Sequence, residues 1–97
     1  MKYALLVAGR VTIEVARILA HRENETKGSG DRFIRALQEC YALIAANPNG
    51  FQVRKDPYRH AFLPKLKYRV VYRVKGENIY VVQVRHTSQK PSRKFGP

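Results

Sequence analysis

Residues 68–90 read YRVVYRVKGENIYVVQVRHTSQK, two β-branched and aromatic runs on either side of Lys75-Gly76-Glu77-Asn78. A short polar break containing glycine, between two such runs, predicts a hairpin with a tight turn. Pairing Val74 with Ile79 sets Tyr72 opposite Val81 and Val71 opposite Val82. Side chains alternate across a strand, so one face then carries Val70, Tyr72, Val74, Ile79 and Val81. The other carries Arg69, Arg73, Tyr80, Val82, Val84 and His86. The first set predicts a core face. The second lays cations, an imidazole and a phenol over an apolar floor, as a surface for phosphates or an acidic partner requires. A wetted face of an antiparallel sheet accounts for it equally well.

Upstream of the hairpin the apolar pattern changes period. Lys2 to Val7 is an apolar run too short for a helix and predicts a strand. The opening MKYALLVAG resembles a signal peptide only superficially, because Arg10 and Glu14 stand where a cleavage region is small and neutral. From Arg10 to Glu23, Val11, Val15, Ile18 and Leu19 fall at helical spacing. A polar link, Asn24 to Gly30, leads to a second helix with Ser29 or Asp31 as its expected N-cap. Phe33, Leu37, Cys40 and Ile44 form its apolar stripe, and Asn47-Pro48-Asn49-Gly50 ends it. Beyond Gly50 the period becomes two, and Phe51–Arg54 and Tyr58–Leu63 read as strands parted by Asp56-Pro57. The expected fold is a single α+β domain over residues 1–97, with an N-terminal strand and an antiparallel helical hairpin packed on a mainly antiparallel sheet. Residues 88–97 predict a mobile basic tail, too polar to join the core or continue the sheet.

Charge divides the chain. Residues 1–50 hold seven Lys/Arg against five Asp/Glu, whereas residues 51–97 hold twelve against two. The formal charge of +12 therefore belongs mainly to the sheet half and the tail. Such a field selects nucleic acid, an anionic lipid surface or an acidic protein as partner. No apolar run approaches the ~20 residues of a spanning helix. The single cysteine, Cys40, excludes an internal disulfide and a cysteine-based zinc site, so a cytoplasmic, reducing setting is expected.

His21, His60 and His86 show no metal-ligand spacing, and no metal or other cofactor is expected. No P-loop, dinucleotide fingerprint or nucleophile elbow is present. Cys40 lies on the helical stripe and reads as a buried small hydrophobe. What remains is a cationic set interleaved with Tyr58, Tyr68, Tyr72 and Tyr80: Arg59, Lys65, Lys67, Arg69, Arg73, Arg85, His86 and Lys90, with Arg93 and Lys94 in the tail. A metal-free ribonuclease built here would use His86 as base or acid and Arg69 and Arg73 as charge stabilisers, although no second group completes an acid–base pair.

The order of these pieces carries a resemblance. A strand and a helical hairpin with Arg32-Phe33-Ile34 opening its second helix come first, followed by Asn47-Pro48-Asn49-Gly50 and Arg59. Tyr68 to Val74 (YRVVYRV) and His86 before a basic, Pro-containing segment complete the pattern. Together they resemble the RelE/ParE superfamily of bacterial toxins over nearly the whole chain. The resemblance implies the toxin of a type II toxin–antitoxin pair, as used in plasmid stabilisation, held in a hetero-oligomer by an acidic antitoxin and touching DNA only through it. RelE-like members cut messenger RNA on the ribosome, while ParE-like members poison DNA gyrase. Arg69 occupies the arginine of the RelE-like YRxxY pattern, but Thr87 stands near where a second RelE-like arginine is expected. A histidine followed by a basic residue before proline is nearer the ParE-like pattern, with Ser88-Gln89-Lys90 in place of its arginines. The resemblance thus implies a gyrase-binding, non-enzymatic toxin first, a ribosome-dependent endoribonuclease second, and third a non-toxic, DNA-associated partner of its antitoxin.

Overall fold

The computed structural model describes residues 2–97, and among them the hairpin forms the heart of a five-stranded sheet. Strands β1 (Ala4–Val7), β2 (Gln52–Lys55), β3 (Tyr58–Phe62), β4 (Tyr68–Lys75) and β5 (Asn78–His86) lie in the order β1-β5-β4-β3-β2. β1 runs parallel to β5, and the other neighbours are antiparallel. Helices α1 (Gly9–Glu25) and α2 (Ser29–Ala46) bridge β1 to β2 and cover one face. This is the expected α+β arrangement.

The stripe read from α2 is buried as its spacing requires: Phe33, Leu37, Cys40 and Ile44 enclose the core from the helical side. Val11 of α1 joins them, and Ala61, Val70, Tyr72, Ile79, Val81 and Val84 oppose them from the sheet. The Tyr72 hydroxyl, buried at the far side of this core, donates to the Pro48 carbonyl at 2.5 Å. The 3-10 turn Pro48–Gly50 that ends α2 is thereby tied to the sheet.

The link between the helices is tighter than the sequence predicts, and neither Ser29 nor Asp31 is the N-cap. Gly28 holds that position, at φ 85, and both expected caps lie inside α2. The α2 amides are satisfied from the preceding helix instead: the Glu23 carboxylate accepts the Gly28 and Gly30 N–H groups at 3.0 and 3.1 Å. Those bonds hold the Glu23 carboxyl below its ordinary range. Gly30 also lets the helices approach closely, since a Cβ there would sit 2.8 Å from Leu19 Cδ1.

The hairpin register follows the sequence as far as Val74 opposite Ile79 and Tyr72 opposite Val81, then departs from it. Val71 opposes Gln83 rather than Val82, so Val82 is the extra residue of a β-bulge. Alternation inverts beyond it. Val84 and His86, expected on the face of Arg69 and Arg73, turn to the helical side opposite Val70 and Tyr68. Gln83 and Arg85 take the outer face in exchange. The physical reason is burial: strict alternation cannot place Ile79, Val81 and Val84 in one core, and one inserted residue can.

Residues 88–97 double back over the outer face, and one of them is apolar enough to be buried after all. Phe95 is 3% exposed and stands edge-on to Tyr58, with ring centroids 4.8 Å apart. Ser92 and Gly96 form a bridge, and the Ser92 hydroxyl accepts the Lys94 and Phe95 amides at 3.1 Å each. The segment is a built turn, with a seryl hydroxyl organising its backbone.

Candidate functional site

Period-two alternation sends a basic side chain to the outer face from each of four strands. Arg54 comes from the irregular end of β2, His60 from β3, Arg69 and Arg73 from β4, and Arg85 from β5. Arg69 and Arg85 are direct cross-strand partners, 8% and 4% exposed, and His60 is 2% exposed. The Phe62 ring lies against two of the cations, 5.0 Å from the Arg69 guanidinium and 5.7 Å from that of Arg54.

Burying like charges side by side is costly unless each finds a partner. Arg10 with Glu14, at 3.5 Å, is the one ion pair among the described residues, and it lies on α1. The outer face uses main-chain oxygens instead. Arg69 donates to the main-chain oxygen of Pro97, the last residue of the sequence, at 2.7 Å, and Arg54 to the same oxygen at 3.1 Å. Arg85 donates to the Gln89 carbonyl at 2.7 Å, and Lys55 donates to that of Arg93. The Gln89 and Arg93 carbonyl oxygens carry only a partial charge, so Arg85 and Lys55 are hydrogen-bonded there without being neutralised. Among the described residues the buried Nε atoms of Arg54, Arg69, Arg73 and Arg85 have no partner.

His60 links this cluster to the tail. Its Nδ1 lies 3.2 Å from Arg69 Nη1, and its Nε2 lies 2.8 Å from the Phe95 carbonyl. A guanidinium only donates, so Nδ1 must accept and Nε2 must carry the proton it donates to Phe95. The geometry therefore fits the neutral ring in one tautomer. Burial, reinforced by the Arg69, Arg54 and Arg85 charges, pushes the imidazole below its ordinary 6.5 against the opposing effect of the Phe95 carbonyl. Burial, then Arg85 and Arg54, likewise lowers Arg69.

The residues singled out in the sequence divide among three places. Arg69 and Arg85 meet on the outer face, and Arg73 shares that face further along β4, opposite Tyr80. Arg59 does not join them: it pairs with Tyr72 in register and donates to the Asn49 and Phe51 carbonyls at 3.1 and 2.7 Å, bracing the turn after α2. Lys65 and Lys67 are exposed in the β3–β4 loop, and Lys90, Arg93 and Lys94 are exposed along the tail. His86 lies on the helical side, edge-on to Tyr68 at 5.1 Å, with Nδ1 2.6 Å from the Ser88 hydroxyl. There it lines a cleft of about 470 Å³ with Glu14, Arg17, His21 and Gln89. His86 is thus parted from Arg69 and Arg73 by the bulge. His60 and Arg54, not singled out from the sequence, take part instead. Alternation was a legible signal for both: Tyr58, His60 and Phe62 share one face of β3, and Gln52, which pairs with His60, shares its face of β2 with Arg54.

Cys40 is buried, and desolvation pushes its thiol up to about 11. No three His, Cys, Asp or Glu side chains gather among the described residues. No described helix is long and apolar enough to cross a membrane.

Comparison with known proteins finds a matching family model and matching solved structures. The family model described as ParE toxin of type II toxin-antitoxin system, parDE, matches residues 12–91. A solved structure, the chromosomal ParDE TA system from P. aeruginosa, superposes with a TM-score of 0.78 at 14% identity, covering 90% of this chain and 98% of that one. No curated protein matches the chain.

Proposed function

This chain belongs to the ParE toxin family of type II toxin–antitoxin systems, and we propose that it arrests growth by binding DNA gyrase through its basic outer face and tail. The observation that carries this reading is the distribution of charge. Twelve of the nineteen Lys/Arg lie in residues 51–97, where only Asp56 and Glu77 oppose them. Lys90, Arg93 and Lys94 project from the tail beside the arginine cluster. A positive field of this size steers an acidic surface into contact and sets its orientation.

The reading includes an antitoxin of acidic character that folds as it binds and masks the cationic half. The neighbour in the comparison is a ParDE system, which supports a partner of this kind. Co-expression with the adjacent small reading frame should yield a tight complex and restore growth. A chain that arrests growth and binds no neighbouring product would overturn this part.

Messenger-RNA cleavage is the competing activity, and the position of His86 weighs against it. Catalysis by His86 with Arg69 and Arg73 needs the three around one phosphate, whereas the bulge puts the imidazole on the opposite side of the sheet. A gyrase cleavage assay and primer extension on a translated message decide the matter. Gyrase-dependent DNA breaks with intact message are expected; codon-periodic cuts lost in His86→Ala would replace the gyrase reading with the ribonuclease one.

A further inference from the structure

The inserted Val82 that removes His86 from the arginine face also helps to build a cleft on the helical side. β1 pairs with β5 only as far as Val81, so no strand lies beside Val84–His86 on that edge. α1 covers the gap instead, and its Glu14 takes the Val84 amide. Two lobes open between helix and strand. One, of about 470 Å³, has Ile18 and Val84 in its wall; the other, of about 440 Å³, is bordered by Arg22, Ser29 and Arg32. His21, Tyr68 and His86 line both, which makes the lobes one continuous site.

Three hydrogen-bonding side chains gather there about the Tyr68 ring. His86 stands edge-on to it at 5.1 Å, and the Arg22 guanidinium lies over it at 5.6 Å. The Ser88 amide donates to His86 Nδ1 at 3.1 Å, so that nitrogen accepts and the neutral ring carries its proton on Nε2. Arg22 is steadied through Nε, which donates to the Ser29 carbonyl at 3.3 Å. Its Nη groups, His86 Nε2 and the Tyr68 hydroxyl have no partner among the described residues. A phenol as buried as Tyr68, at 7% exposed, ordinarily has one. These donors are held in place and left unpaired.

Charge selects what they hold. Arg17, Arg22 and Arg32 border the cleft against two carboxylates, Glu14 and Glu25. Glu14 is already engaged by the Val84 amide and by Arg10 at 3.5 Å, which leaves Glu25 alone. Guanidinium and imidazole N–H groups suit an oxyanion, and the arginine fork matches phosphate. The lobe walled by Ile18 and Val84 has the volume of a small-molecule site, typically about 300–1,000 Å³. We propose that the cleft between α1 and β5 binds a small phosphorylated ligand of nucleoside-monophosphate size, its phosphate on Arg22 and His86 and its body against Ile18 and Val84. Arg69 and Arg85 lie on the other side of the sheet, so this site is separate from the face assigned to gyrase.

NMR titration of the full chain with adenosine monophosphate, inorganic phosphate and adenosine tests this, in about 0.15 M salt to screen general attraction to a +12 chain. The monophosphate should shift the His86 and Tyr68 ring signals saturably and bind more tightly than either fragment, because it alone fills both lobes. Arg22→Gln should weaken it about tenfold, the loss of one charge-assisted contact. Arg22 also packs on Tyr68, so Arg32→Gln repeats the test from an exposed position and should weaken binding as well. Lys75→Gln removes the same charge at the opposite end of β4 from Tyr68 and should leave binding unchanged. Phosphate or adenosine binding as tightly as the monophosphate, equal losses in Lys75→Gln and Arg22→Gln, or an affinity untouched by both arginine changes would each overturn the proposal. The readouts require neither gyrase nor an antitoxin, so they stand or fall apart from the proposed target.

Discussion

Glu14 of α1 accepts the backbone N–H of Val84 in β5 at 3.1 Å, a contact between residues seventy apart. β1 pairs with β5 only from Asn78 to Val81, so the stretch beyond the bulge has no strand on that side. A helix carboxylate takes the place of a strand there, which protects an otherwise open edge from pairing with another chain.

The first expectation concerns that contact. Glu14→Ala leaves a partly buried amide unsatisfied and should cost about 1–3 kcal/mol, the usual penalty for an orphaned donor. Glu14→Gln keeps an acceptor and should recover most of the loss. Urea unfolding of the three proteins measures it; equal stability would mean that the β5 edge does not need Glu14.

Cys40 offers a test of core integrity through pH. Its folded pKa is raised, to about 11 from an ordinary 9.0, chiefly by burial. The stability linked to it is complete below about pH 9 and is lost as pH rises toward 11, because the unfolded thiol ionises first. Tyr72, raised to about 12 by burial, adds to the loss at the upper end. A thiol reagent should leave the native protein unmodified at pH 8 and react at once after unfolding. Rapid native labelling would contradict the burial of Cys40.

Acid should act through Glu23 in the opposite sense. Its carboxyl is held below the ordinary 4.5 by the Gly28 and Gly30 amides, so the associated stability is present above that value and is lost as pH falls through the lower, folded one. Glu23→Gln should flatten the acid limb of the stability profile. Melting temperatures of both proteins from pH 6 to pH 2 report it, and superimposable acid limbs would remove Glu23 from the account.

Charge reversal at the tail separates target contact from folding. Arg93 and Lys94 are exposed, so Arg93→Glu with Lys94→Glu should change stability by no more than about 0.5 kcal/mol per site. Growth arrest should nonetheless be lost if the tail contacts gyrase. Undiminished killing by a folded double variant would take the tail out of the proposed interface.

Periodicity and punctuation determined much of this protein from sequence alone. The α2 stripe, the stop at Asn47-Pro48, the Lys75–Asn78 turn and the core face through Val81 are all local consequences of side-chain spacing. The lopsided charge and the motif order pointed to the toxin superfamily for the same reason: they are properties of the chain as written. Tertiary structure decided the site. Only the demand that Val84 be buried reveals the bulge at Val82, and the bulge trades His86 for Arg85 on the outer face. Only packing on Tyr58 makes Phe95 a buried residue, in a tail that composition describes as polar. His60 acquires its role from Arg69, nine residues away, and from Phe95, thirty-five residues away. Local spacing sets which face a side chain takes while the strand stays regular; a single inserted residue reverses it, and its position is chosen by the core on the other side of the sheet.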